Sequence, residues 1–166
     1  MKSLRDTFLE PLAPLILDFR LIENSDNDLL RKWKNKNRQS FFYREIISSS
    51  EQRSWFIAYE VDPLSAMLIW TPDEGECGSI GLRRVANVIE VYNVMSWCEA
   101  TRGTGKFLIS VRGLLLLVSE YFPETSIQTS VLHQNQAVQW YQKLGFNKVE
   151  LLTHESGQEF ILMKFA

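Results

Sequence analysis

Two glycines, a threonine and two cations share one short stretch, Arg102-Gly103-Thr104-Gly105-Lys106, and an apolar helical run from about Thr104 to Tyr121 follows it. Glycine lets a backbone turn tightly and approach a ligand with no Cβ in the way. The first turn of a helix leaves N–H groups unpaired and carries a partial positive charge. With Arg102 as a fixed cation, these features make a cradle for a diphosphate. A tight structural turn has the same composition, so the stretch alone leaves both readings open. It is not a P-loop, which needs GxxxxGK followed by Ser or Thr. It is not a dinucleotide fingerprint either, because Leu108 stands where GxGxxG requires its third glycine.

Other chemistry is narrower. No Ser/His/Asp constellation or G-x-S-x-G elbow is visible. His133 and His154 are isolated, and Cys77 and Cys98 lie far apart with no CxxC or Cys/His ligand spacing, so no metal site is expected. Two thiols without a framework suit a reducing cytosol, with a single disulfide left open. Glu90 lies among apolar neighbours on the strand leading to the glycine turn, where burial would raise its pKa and make it a candidate base. Asn93, on the opposite face of that strand, is a candidate substrate contact.

The resemblance that organises these residues is to the GNAT N-acetyltransferases. Arg102 to Phe107 resembles that family's R-x-x-G-x-G/A acetyl-CoA motif; Arg102 and Gly105 match, and Phe107 replaces the usual small residue. Ala137 to Phe146 is similar to the family's A-x-x-x-Y-x-K-L-G-F ending. The resemblance implies an α+β fold, with a mixed, mainly antiparallel sheet flanked by helices. It also implies acetyl-CoA as co-substrate, held by Arg102, Gly103, Thr104, Gly105 and Lys106. The pantetheine arm would lie along the backbone of Met95, Ser96 and Trp97. Tyr141 would be the acid that protonates the leaving thiolate. The family's Asn, seven residues before that tyrosine, is Gln134 here, with Asn135 one later. Asn135 is therefore either a cofactor ligand or a helix cap. The run Glu51-Gln52-Arg53-Ser54-Trp55-Phe56 resembles the branch holding ribosomal-protein N-terminal acetylases and the aminosugar acetyltransferases of the pseudaminic acid pathway, and leans toward the latter.

Acetyl transfer needs a neutral amine, a thioester held close, a stabilised oxyanion and a proton for the thiolate. The expected reaction is direct attack by a primary amine, with an aminosugar, free or nucleotide-linked, as acceptor. Arg38, Phe41, Phe42 and Tyr43 are the candidate substrate contacts, since aromatic rings stack on sugars or bases and arginine pairs with phosphate. The alternatives are a protein N-terminal or lysine acetyltransferase, and an acetyl-CoA binder without turnover.

These residues must be positioned by the elements around them. Leu15 to Ile22 reads as a strand and Asp26 to Lys36 as a helix. A second helix starts at the capping box Ser48…Glu51 and stops before Pro63. Ala66 to Trp70, Cys77 to Val85 and Val88 to Trp97 read as a meander. After the long helix come a strand (Ser126 to Leu132), a helix (Gln134 to Leu144) closed by Gly145, and two strands (Phe146 to Thr153, Glu159 to Phe165).

The length of 166 residues suits one domain, residues 1–166, and 45% apolar with 23% charged residues is close to the average for a globular domain and argues against disorder as the default. A net charge of −2 argues against nucleic acid as a bulk partner. Arg31, Lys32, Lys34, Lys36 and Arg38 form a local basic cluster or a solvated helix face. No signal-peptide pattern or membrane-spanning run is visible, so the expectation is a cytoplasmic enzyme that does not engage a membrane. Edge strands near the carboxyl end leave a homodimer open.

Overall fold

The elements follow from the change of hydrophobic period along the chain. The computed structural model describes residues 3–7 and 18–166. A short helix, α1 (Leu4–Thr7), is followed by β1 (Phe19–Leu21), α2 (Asn27–Lys36), α3 (Ser49–Val61), β2 (Ser65–Trp70), β3 (Gly78–Val85) and β4 (Val88–Ser96). Then come α4 (Lys106–Tyr121), β5 (Ser126–Leu132), α5 (Ala137–Leu144), β6 (Phe146–Thr153) and β7 (Glu159–Phe165). Of the strand expected from Leu15 to Ile22, residues 15–17 lie outside the described residues.

Two local devices set the first helices. The Arg20 guanidinium donates to both oxygens of Asp26 at 2.7 and 2.9 Å, and Asp26 accepts the Glu23 N–H at 2.8 Å. This pins the turn from which α2 starts. At α3 the expected capping box forms: Ser48 Oγ accepts the Glu51 N–H at 3.2 Å, and Glu51 Oε2 accepts the Ser48 N–H at 2.7 Å.

The seven strands form one sheet in the order β1-β2-β3-β4-β5-β7-β6. Every pair is antiparallel except β4–β5. Alternation along β2 divides the core. Ala66 and Leu68 join Ile80, Leu82, Val111, Leu114, Leu115, Tyr141 and Phe146 in the cluster containing α4 and α5. Met67 and Ile69 join Leu30, Phe56, Tyr59, Met95 and Trp97 in the cluster containing α2 and α3. The sheet is thus covered on both faces.

One expectation changes. Cys77, just before β3, and Cys98, just after β4, form a disulfide with Cα atoms 4.9 Å apart. The antiparallel β3–β4 pair brings the residues together, which their separation of 21 in sequence conceals. The cysteines therefore give no argument for a reducing compartment. No helix among the described residues is long and apolar enough to cross a membrane.

Candidate functional site

The site is an opening in the sheet. β4 and β5 pair only over Val88–Glu90 with Ser126–Gln128. Beyond that, β4 continues against β3 and β5 continues against β7, so the two part. A bulge accompanies the parting: Gly81 pairs with Tyr92 and Ser79 with Met95, leaving Asn93 and Val94 opposite Ile80 alone. Asn93 takes φ +48°, a left-handed conformation that Asn tolerates better than most residues. Ser79 Oγ donates to the Asn93 carbonyl at 2.9 Å and secures the bulge. Bulges bend and twist a strand, here at the edge of a cavity of 660 Å³.

The glycine turn leads to the mouth of this opening through Phe107, which lines the cavity; residues 102–106 are not themselves on its wall. Gly103 and Gly105 have φ +73° and +75°, and a Cβ at either would meet nothing, so conformation rather than crowding calls for glycine. Thr104 Oγ1 donates to the Thr101 carbonyl at 2.7 Å and accepts the Lys106 N–H at 3.3 Å. Among the described residues the backbone N–H groups of Gly103, Gly105, Phe107 and Leu108 have no acceptor. They sit where the dipole of α4, 16 residues long, is positive. Arg102 is exposed beside them and pairs with no carboxylate among the described residues. Lys106 differs from expectation: its ammonium is ion-paired with Glu74.

Phe107, the bulky residue of the motif, turns into the protein. Its ring lies 4.8 Å from that of Trp70 and 5.6 Å from that of Trp140, with which it stacks. Gly78 makes room for it: a Cβ there would stand 3.3 Å from Phe107 and only 2.6 Å from the Met95 carbonyl. The ring therefore forms a cavity wall and does not close the mouth.

Along β4, Met95 and Ser96 line the cavity, whereas Trp97 does not. The Trp97 N–H donates to the Cys77 carbonyl at 2.9 Å, its indole N–H donates to Glu76 O at 2.7 Å, and its ring stacks on Trp33. Since main-chain groups alternate along a strand, those of Val94 and Ser96 face away from β3, into the opening. Trp97 thus supports the strand and offers its own backbone to β3.

Tyr141, on α5, lines the floor. It is 7% exposed, and burial pushes its phenol up to about 12, slightly offset by the neighbouring Thr129 hydroxyl. Thr129 Oγ1 donates to Val91 O at 3.0 Å, linking β5 to β4 beneath the opening. Glu90 lines the cavity but is not buried among apolar groups as expected. Both bonds from Arg83, 2.5 and 3.2 Å, go to its Oε2. Asn93 was expected on the opposite face from Glu90; the bulge brings both to one cavity. Asn135 caps α5, its Oδ1 accepting the Ala137 N–H at 2.9 Å, and its amide donates to Ser40 O at 3.4 Å. It also lines the cavity.

On the far side, Phe41, Phe42 and Tyr43 line the cavity. Phe42 packs against His154 and edge-on against Phe160, tying this loop to the β6–β7 hairpin. Arg38, expected with them, is not on the wall; its guanidinium turns back to Asn35 O at 3.4 Å. The cation that does reach the cavity is Lys34. Its Nζ donates to Asn93 Oδ1 at 2.5 Å and lies 4.9 Å from the centre of the Phe41 ring, and burial lowers its pKa to about 8. The sequence signal was spacing: Lys34 follows the buried Leu30 by four residues, on the inward stripe of α2.

No protein-family model matches the chain, and no curated protein does. Solved structures are similar over most of its length. The spermidine N-acetyltransferase from Vibrio cholerae in complex with CoA and spermine aligns with TM-score 0.74 at 18% identity, covering 89% of this chain and 93% of that one. The aminoglycoside acetyltransferase AAC(6')-Ib in complex with coenzyme A aligns with TM-score 0.71 at 18% identity, covering 89% and 94%. A domain from Methanocaldococcus jannaschii aligns with TM-score 0.70 at 15% identity, covering 89% and 97%. The chain shares the fold of these structures, two of which are N-acetyltransferases.

Proposed function

We propose that this chain, residues 1–166 acting as one domain, is an acetyl-CoA-dependent N-acetyltransferase whose acceptor is a small-molecule amine, an aminosugar or its nucleotide-linked form. The observation carrying this reading is the parting of β4 and β5 beside a glycine turn with four unpaired N–H groups. A cleft walled by strand backbone suits an extended amide-bearing arm, and the mouth suits its diphosphate. The fold shared with N-acetyltransferases that bind coenzyme A supports the same conclusion.

Acetyl-CoA supplies the thioester when bound; the chain's residues hold and protonate. Arg102 and the N–H groups of Gly103, Gly105, Phe107 and Leu108 receive phosphate, and Val94 to Ser96 receive the arm. Tyr141, whose phenol keeps its proton throughout the physiological range, donates to the sulfur. Glu90 has Oε1 free of Arg83 and holds a water that takes the acceptor's proton. The aromatic wall of Phe41, Phe42 and Tyr43 suits a sugar or base.

A thiol-release assay over sugar nucleotides bearing an amine, N-terminal peptides and polyamines tests the proposal. Turnover of the aminosugars is expected. Preference for a peptide points to a protein acetyltransferase, and acetyl-CoA binding without turnover on any amine points to a binder.

A further inference from the structure

The cavity wall carries one cation and one carboxylate among the described residues, Lys34 and Glu90. They do not pair. Glu90 is held by Arg83 from β3. Lys34 has two partners, the neutral Asn93 amide and the face of Phe41. Burial is what acts on its ammonium, with no carboxylate contributing. An ammonium partly withdrawn from water without a counter-charge, as at the half-buried Lys34, is unfavourable, and an anion arriving beside it relieves the cost. Lys34 Nζ is anchored on the Asn93 side chain, at the bulge that immediately precedes Val94 to Ser96, so the cation stands beside the reacting end of the cleft.

We infer that the acceptor carries, close to its reactive amine, a phosphate or carboxylate oxyanion, and that Lys34 receives it. This rests on the acetyltransferase reading above. A polycation would instead bring like charge to a wall whose one carboxylate among the described residues, Glu90, is already ion-paired with Arg83, and so is selected against. In this the cavity departs from what the fold's polyamine-acetylating relative, crystallised with spermine, would suggest.

The test compares kcat/KM for glucosamine, glucosamine 6-phosphate, UDP-glucosamine, muramic acid and spermidine, in the wild type, Lys34→Met and Lys34→Arg. In the wild type the anionic acceptors exceed glucosamine and spermidine by about tenfold or more. The phosphate and carboxylate arms identify which oxyanion is meant. In Lys34→Met the anionic-to-neutral preference collapses about tenfold, chiefly through KM, and Lys34→Arg restores part of it. Spermidine as the preferred acceptor, or an equal loss on every acceptor, overturns the inference. If no probe turns over, calorimetry of glucosamine 6-phosphate with the CoA-loaded protein makes the same comparison: binding that requires Lys34 supports the inference, and no binding overturns it. Failure to bind acetyl-CoA at all defeats the underlying reading instead.

Discussion

Tyr141 and Lys34 show how burial sets the state in which a group works. Desolvation holds the Tyr141 phenol near 12, so it keeps its proton at every working pH, as the proposed acid role requires. Tyr141→Phe is expected to lower kcat on the order of 10²-fold with little change in acetyl-CoA affinity, measured by single-turnover kinetics and calorimetry. In the wild type, kcat should show no falling limb up to pH ~10 that can be assigned to this group. Lys34 is the converse case, its pKa lowered by burial to about 8. Below that pH the folded protein carries the full cost of the buried charge. Between the folded value and the ordinary lysine value the unfolded chain holds more protons, and wild-type stability rises with pH. Lys34→Met should therefore raise urea-midpoint stability at pH 7, the gain shrinking as pH climbs above 8. A gain constant across that window would show that lost packing or propensity, not charge, sets the effect.

At the scale of elements, the glycine turn and the bulge are the proposed working parts. Gly105→Ala is expected to cost about 1 kcal/mol, because only the left-handed conformation resists the change, and to weaken acetyl-CoA through the displaced α4 mouth. Urea unfolding and calorimetry check the two effects. β5, β6 and β7 begin and end where the sequence places them, with Gly145 closing α5 ahead of β6. The capping box at Ser48 likewise marked α3 in advance. The bulge at Asn93 was not legible, since nothing local separates an asparagine at positive φ from one in a regular strand. The divergence of β4 from β5 was equally hidden, being a property of two strands 30 or more residues apart and of what each pairs with on its other edge. Arg38 and Lys34 exchanged places for a related reason: a basic run names its charges, and only the inward stripe of α2 decides which one meets the cavity.

For the whole molecule, one sheet with a core on each face leaves its single parallel pair as the place where strands separate. The Cys77–Cys98 bridge clamps β3 to β4 at the end nearest the glycine turn. Closing a loop across a separation of 21 residues is worth about 3 kcal/mol in the chain-entropy model. Native protein should show no titratable thiol, and reduction should lower the urea-derived stability by about that amount. The central claim is that the opening and its mouth hold a CoA thioester, and the direct measurement is calorimetric titration of acetyl-CoA into the wild type and Arg102→Ala. The account predicts saturable binding in the micromolar range, weakened about tenfold or more by the substitution. Absence of binding up to about 1 mM, or equal affinity in the two proteins, would contradict it.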